Sequence, residues 1–414
     1  MAATEFSTNR FFQNWQDFHN HQEMEKRLHR GYEKWKPAFP TDLPSAVDLD
    51  RMKNWAQELR KKGTDVLIVM GMGGSSLGAK AIRDVADPWS EKVIFWEGPH
   101  PAMLQKIRLI AEIKELAVLW VSKSGTTLET RTALVLFREF FPGISEYFIT
   151  SQPAKIADLG ATEANTFLIP ENLGGRYSVI SPVGLMPALF MEADVDMLLK
   201  SFREGLAAWD ISVPMDNNAA KDIAIQYYHL FQSCYSSIVF WVYTHEYMGL
   251  GRWLIQLWGE SVGKNAGVSA LPYLAQGPED QHSMLQFFQE GPNTFVHSFF
   301  HVKSYGANDT VVPADLPGEF ADHSLWEILH AQMKGIEAGL SEAHRPVTEY
   351  IIPEVSLAEL GRMFSFWMYV VTYLGYLYEV NPFDQPGVEK GKVYAKKILL
   401  NEGHEPVVSE VREI

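Results

Sequence analysis

The chain holds one cysteine, Cys234, in 414 residues, so no disulfide can form within it. That fits a reducing compartment. Positive charge is also scarce: 36 Lys and Arg stand against 51 Asp and Glu, a net charge of −15 with no long acidic run. Such a field argues against nonspecific nucleic-acid binding, and an anionic ligand would need a local positive site to overcome it. The N-terminal stretch MAATEFSTNRFFQNWQDFHN lacks the apolar core of a signal peptide. No clean apolar run reaches the length of a membrane span. The nearest, residues 363–380 (MFSFWMYVVTYLGYLYEV), is interrupted by tyrosines, a glycine and a glutamate and reads as a buried helix. There is no short repeat and no low-complexity segment. A compact histidine–carboxylate metal motif is missing too: His245 and Glu246 are adjacent, but Gly249 stands where H-E-x-x-H requires its second histidine.

What is present is ample apolar material, 46% of the residues with 13% aromatic, enough for sizeable cores. At this length two domains are expected. From about residue 60 short apolar runs alternate with amphipathic stretches. DVLIVM, KVIFWEG, LAVLWVS, EYFIT and NTFLIP read as strands, with helices between most of them. After a helical connector near 190–210 the series restarts with SSIVFWVYT, AGVSALPYLA, NTFVHSFFHVK and VTEYIIP as strands. DQHSMLQFFQEG (280–291) reads as one of the helices of this half, and two more are expected at about 357–379 and 386–399. The alternation predicts an α/β fold of two subdomains with mainly parallel sheets flanked by helices, divided as residues 1–200 and 201–414.

Two loops carry the chemistry of the first half. IVMGMGGSSLGAKAI is a strand, a glycine turn and a helix start, a place where backbone N–H groups and the helix dipole meet a ligand. It fails the dinucleotide fingerprint because residue 76 is serine, although Glu97 at the end of the next strand can mimic a ribose-binding acid. It fails the nucleotide P-loop because Ala79 and Lys80 follow Gly78 where Lys-Ser/Thr is required. VSKSGTTLET (121–130) sets five hydroxyls at a second strand end. One helix cap needs only one hydroxyl. Two such loops suit a phosphate, which offers only acceptors, and a small phosphate monoester fits better than a dinucleotide.

Together, GMGGSSLG, SKSGTTLET, ENLGGRYSVISPVG, GESVGK, DQHS and FDQPGVEKGK resemble the glucose-6-phosphate isomerase (phosphoglucose isomerase) family, in the family's order across residues 71–392. The resemblance implies two sugar-isomerase (SIS) subdomains, a cofactor-free and metal-free aldose–ketose isomerisation, a homodimer, a cytoplasmic location and a place in glycolysis and gluconeogenesis. It implies that Gly74 and Ser75 form the first phosphate-side loop and that Ser122, Lys123, Ser124 and Thr127 bind phosphate, Lys123 mainly through its backbone. Arg176 matches the arginine near C1 and C2 of the sugar, and Glu260 the catalytic base, with Gln256 four residues before it. His282 matches the ring-opening histidine, which in the family reaches the partner subunit's site. Lys392 matches the C-terminal active-site lysine and Gln385 a sugar-contacting residue. Pro386 and Lys390 depart from the apolar residues that other members often carry there.

The implied chemistry suits these side chains. One carboxylate, Glu260, can take a proton from one carbon and return it to the next through a cis-enediol. Arg176 is a permanent cation for the developing oxyanion. Ring opening needs an acid and a base near neutrality, roles that His282 and Lys392 can share in either order. Two other readings remain open at the level of sequence. One is a related isomerase that also accepts mannose 6-phosphate; the other is a noncatalytic SIS module that binds a sugar phosphate as a signal.

Overall fold

The computed structural model describes residues 5–8, 21–264, 269–315 and 320–400. The first described elements are strand β1 (Glu5–Thr8) and helices α1 (His21–Lys34) and α2 (Ala46–Lys61). A capping box between Ser45 and Asp48 starts α2. Then come β2 (Val66–Met70), α3 (Leu77–Ala86), β3 (Val93–Trp96), α4 (Pro101–Ala111), β4 (Leu116–Val121), α5 (Leu128–Phe140), β5 (Ser145–Thr150) and β6 (Thr166–Leu168). Helices α6 (Pro182–Phe190) and α7 (Val195–Trp209) connect the halves. The second half runs α8 (Ala219–Gln232), β7 (Ser237–Val242), α9 (Met248–Val262), β8 (Leu271–Gln276), α10 (Leu285–Glu290), β9 (Phe295–Val302), α11 (Leu325–Glu342), β10 (Val347–Ile352), α12 (Leu357–Leu377) and α13 (Glu389–Leu399). The division expected between residues 200 and 201 falls inside α7.

The fold is α/β, as the alternation predicts. One sheet has the order β3-β2-β4-β5-β6, all parallel, and the other β1-β10-β9-β7-β8. The second is parallel except at its edge, where β1 pairs antiparallel with β10, Glu5 opposite Ile351. Both sheets are covered on both faces, so their strands read as continuous apolar runs. The two-residue period still sorts the side chains. Leu67 and Val69 of β2 face the central core, while Val66, Ile68 and Met70 face α4 and α5. In the second sheet Ile238, Phe240 and Val242 face the same central core, and Val239 and Trp241 face α10 and α11.

The central core is therefore shared by both sheets, and α12 runs through it. Nineteen of its residues, among them Trp367 and Tyr373, are buried, which explains a helix that is apolar all round. Trp367 packs its ring against Phe240, Phe300 and Tyr350. No described helix is long and apolar enough to cross a membrane.

The 280–291 segment departs from the expected single helix. It forms a 3₁₀ turn at Glu279–Gln281 and then the short α10. Asp280 accepts hydrogen bonds from the Gln276 backbone N–H and the Ser283 hydroxyl, local bonds that compete with helix extension.

Strand order places the first candidate loops. From β2 the chain moves to β3 on one side, and from β4 it moves to β5 on the other. The carboxyl ends of β2 and β4, which are neighbours, thus form a topological switch point, where open α/β sheets bind ligands.

Candidate active site

The loop after β2 turns through a 3₁₀ segment, Gly73–Ser75, into α3. Its glycines are required by close approach. A Cβ on Gly74 would lie 2.3 Å from the carbonyl carbon of Gly175, and Gly73, at φ +55°, would place one 2.9 Å from Gln256 Nε2. The glycine loop is thereby pressed against both the GGR turn and α9, with Gly74 and Ser75 half-buried. Ser76 donates to the Glu97 carboxylate, and Lys80 forms an ion pair with it. The acid that could have served a ribose is engaged within the first subdomain's own loop.

The loop after β4 carries the hydroxyls. Ser122 and Thr127 share a hydrogen bond of 2.9 Å, and Ser124 Oγ accepts from the Thr126 backbone N–H at 3.2 Å and its hydroxyl at 3.0 Å. The Lys123 carbonyl accepts from the Ser151 backbone N–H at 3.1 Å and from the Thr150 hydroxyl at 3.2 Å, which ties the loop to the end of β5. Burial pushes the Lys123 ammonium below its ordinary pKa; Glu171 opposes this and the positive charge of Arg176 adds to it. The hydroxyl loop therefore lies within the electrostatic reach of Arg176.

Arg176 sits in a 3₁₀ turn, Gly175–Ile180, and is fully buried. Every nitrogen of its guanidinium has a partner. Nε donates to Ser261 Oγ at 2.6 Å, and Nη1 to Gln385 Oε1 at 2.9 Å and Glu260 Oε2 at 3.2 Å. Nη2 donates to the carbonyls of Pro382 at 2.6 Å and Asp384 at 3.0 Å. A planar fork meets such a set of acceptors where a lysine would not. Near the end of α9, Gln256 and Glu260 are four residues apart and share one face, and Gln256 Nε2 donates to Glu260 Oε1 at 2.9 Å. Glu260 thus has one oxygen on Arg176 and the other on Gln256, with its side chain 30% exposed. Gln256 Oε1 is buried with no hydrogen-bond partner among the described residues.

One cluster therefore brings together Gly74, Arg176, Gln256, Glu260 and Gln385, and Lys123 couples it electrostatically to the loop of Ser122, Ser124 and Thr127. Two further expected residues, His282 and Lys392, are exposed. His282 follows the 3₁₀ turn after β8 with its side chain exposed, and its backbone N–H donates to Glu279 O at 3.0 Å. Lys392 is exposed on α13.

Residues 46–411 match the phosphoglucose isomerase family. The chain belongs to that family. It is 31% identical over 381 residues to the glucose-6-phosphate isomerase of Thermus thermophilus, covering 86% of this chain and 89% of that protein. The enzyme of the same name from Methanocaldococcus jannaschii is 29% identical, over 81% of this chain and 85% of its own. Among solved structures, a hypothetical protein of Thermus thermophilus superposes with a TM-score of 0.84 at 27% identity, covering 96% of this chain and all of that one. A glucose-6-phosphate isomerase from Chlamydia trachomatis shares the fold, with a TM-score of 0.75 at 21% identity, over 97% of this chain and 89% of its own.

Several members of the cluster were not singled out in the sequence. Ser261 adjoins Glu260, and Tyr177, which adjoins Arg176, approaches Ser261 Oγ at 3.1 Å; burial raises the Tyr177 pKa, opposed by Arg176 and its hydrogen bonds. Both lie inside quoted motifs, so their positions were available, but their contacts span more than 80 residues. Elsewhere, one group of three metal-capable side chains exists among the described residues: His301, His330 and Glu349, with ligand atoms within 4.8 Å of one another. The Lys334 ammonium already binds Glu349 there. Cavities of about 730 Å³ beside α1 and about 670 Å³ beside β3 include none of the clustered residues in their walls.

Proposed function

We propose that this chain interconverts D-glucose 6-phosphate and D-fructose 6-phosphate, with Glu260 as the base that carries the proton between C2 and C1. The observation that carries this reading is the position of Glu260, a part-exposed carboxylate held between the buried guanidinium of Arg176 and the amide of Gln256. A carboxylate so oriented, beside a fixed cation, suits proton abstraction next to a carbonyl.

In this reading the phosphate rests on Ser122, Ser124 and Thr127 with the backbone of Lys123, and Ser75 closes the site. Glu260 removes the C2 proton of the open-chain aldose. The C1=C2 bond forms as the electron pair moves to O1, and Arg176 stabilises the resulting charge. Glu260 returns the proton to C1, the C2 carbonyl forms, and the O2 proton passes to O1. Gln256 Oε1, buried without a partner among the described residues, is available to accept from a sugar hydroxyl. Gln385 contacts the sugar from the side of the 381–385 loop.

Ring opening falls to Lys392 and to His282 of the partner subunit in a two-fold homodimer. The exposure of His282 on its own chain supports that assignment, since an exposed side chain is available to a partner across a two-fold interface. The chain acts as two SIS-type subdomains in the cytoplasm, and the reaction as drawn calls on no cofactor.

The test is a coupled assay of purified protein in both directions, with mannose 6-phosphate as a parallel substrate. Turnover of glucose 6-phosphate and fructose 6-phosphate supports the reading. Binding of the sugar phosphates without turnover would favour a noncatalytic module.

A further inference from the structure

Lys264 lies two residues beyond the end of α9 and four beyond Glu260, with only 13% of its side chain exposed. Its ammonium donates to the Asn381 carbonyl and, at 2.6 Å, to Asp384 Oδ1. Both acceptors belong to the short loop that joins α12 to α13. Arg176 grips the same loop at the carbonyls of Pro382 and Asp384 and at Gln385 Oε1. Two cations therefore hold three carbonyls of five consecutive residues. The Asn381 side chain completes the turn, accepting from the Phe383 N–H at 3.0 Å and donating to Asp384 Oδ2 at 3.1 Å.

The two grips are not equivalent. Arg176 also donates to Glu260, the proposed base. Lys264 contacts the loop at Asn381 and Asp384 and has no described hydrogen bond with Gln256, Gln385 or Glu260. The pair with Asp384 is part-exposed on the aspartate side, at 54%, so its Coulomb term is weakened by solvent. A second constraint is the bond to the Asn381 carbonyl, made by a side chain largely withdrawn from water. A buried donor without that acceptor would carry its full desolvation cost, so loop and lysine hold each other in place.

We propose that Lys264 is a positioning residue for the isomerase reaction: it fixes the 381–385 loop so that Gln385 reaches Arg176 at the sugar site. The proposal rests on the isomerase reading for its kinetic consequence, but its structural consequence stands without it. Burial lowers the Lys264 pKa, Asp384 opposes this, and Arg176 and Glu260 act on it with opposite signs, which agrees with a place at the margin of the same cluster.

The experiment compares Lys264→Met, Lys264→Arg, Gln385→Ala and the Lys264→Met/Gln385→Ala pair in the full chain. Lys264→Met lowers kcat/KM by about tenfold or more, the scale expected when a contacting group is misplaced. Because the lysine acts through Gln385, the double variant falls no lower than the worse single one. Lys264→Arg, which can still reach two oxygens, recovers most of the loss. Amide hydrogen exchange is measured on the same proteins: residues 381–388 exchange about tenfold faster or more in Lys264→Met and at the unaltered rate in Gln385→Ala. If Lys264→Met does not fold, Lys264→Gln, whose amide keeps N–H donors without the charge, carries both measurements. Unaltered exchange of the loop, or losses that multiply in the double variant, overturns the proposal. The exchange readout needs no turnover. An inactive parent chain with a loosened loop in Lys264→Met would therefore overturn the isomerase reading and leave the clamp standing.

Discussion

Arg176 reaches Glu260 across 84 residues of sequence, its Nη1 lying 3.2 Å from Oε2. The same guanidinium holds Ser261, Pro382, Asp384 and Gln385. The proposed base and the loop that carries Gln385 are therefore tied to one buried side chain. Arg176→Lys keeps the charge and loses the fork. Its kcat should fall by about 10²-fold or more, the scale of losing an oxyanion donor, in a protein whose circular dichroism is unchanged. Activity within threefold of the parent would remove Arg176 from the reaction.

The proposed phosphate loop predicts a different signature. Ser124→Ala with Thr127→Ala removes two hydroxyls and leaves Ser122 without the partner it holds at 2.9 Å. Each lost bond to a charged ligand costs about 1.5–3 kcal/mol, so KM for the sugar phosphate should rise by well over tenfold. Unaltered KM in steady-state assays would place the phosphate elsewhere.

The proposed sharing of His282 across a two-fold dimer predicts complementation between subunits. Glu260→Gln and His282→Ala homodimers should each be strongly impaired. When the two are mixed through reversible dissociation, half the dimers are hybrids in which one site holds both defects and the other neither. Activity should recover to roughly a quarter of the parent's, by the arithmetic of a closed two-fold dimer. Exchange is verified with differently tagged chains. Confirmed hybrids that stay inactive would return His282 to its own subunit.

Stability carries a pH signature of its own. His297 is buried in β9, and its Nδ1 accepts a hydrogen bond from Trp241 Nε1 at 3.1 Å. That bond requires the neutral ring. Burial, and then Arg345, push its pKa down to about 3 from an ordinary 6.5. The unfolded chain therefore binds a proton first, and stability should fall as pH drops from 6.5 towards 3, by about 1.4 kcal/mol per pH unit from this group alone. His297→Asn keeps an acceptor and removes the titration. Urea melts between pH 7 and 4 should give the variant a shallower loss; parallel slopes would contradict the assignment.

Much of this architecture is legible in the sequence because its signals are local. Apolar runs such as 65–70 and 116–121, spaced by helices, announce a parallel sheet, and the glycines and hydroxyls that follow them mark strand ends. The family motifs name Glu260, Arg176 and Gln385 before any contact is known. What stays hidden is long-range or competitive. The pairing of β1 with β10 joins residues 5–8 to 348–351, and nothing in four residues announces that partner. The shortening of the 280–291 helix depends on Asp280 capturing Gln276 and Ser283. The grip of Arg176 on the carbonyls of Pro382 and Asp384 is invisible for a further reason: backbone acceptors leave no mark on residue type.

The central claim is that Glu260 carries the proton between two carbons, and proton NMR in D₂O tests it most directly. The parent chain, given glucose 6-phosphate, should form fructose 6-phosphate and place solvent deuterium at C2 of the recovered glucose 6-phosphate. Glu260→Gln should lose kcat by about 10²–10⁴ and lose the C2 exchange in parallel, while still binding the sugar phosphate. A variant that turns over or exchanges at near the parent's rate would contradict the account.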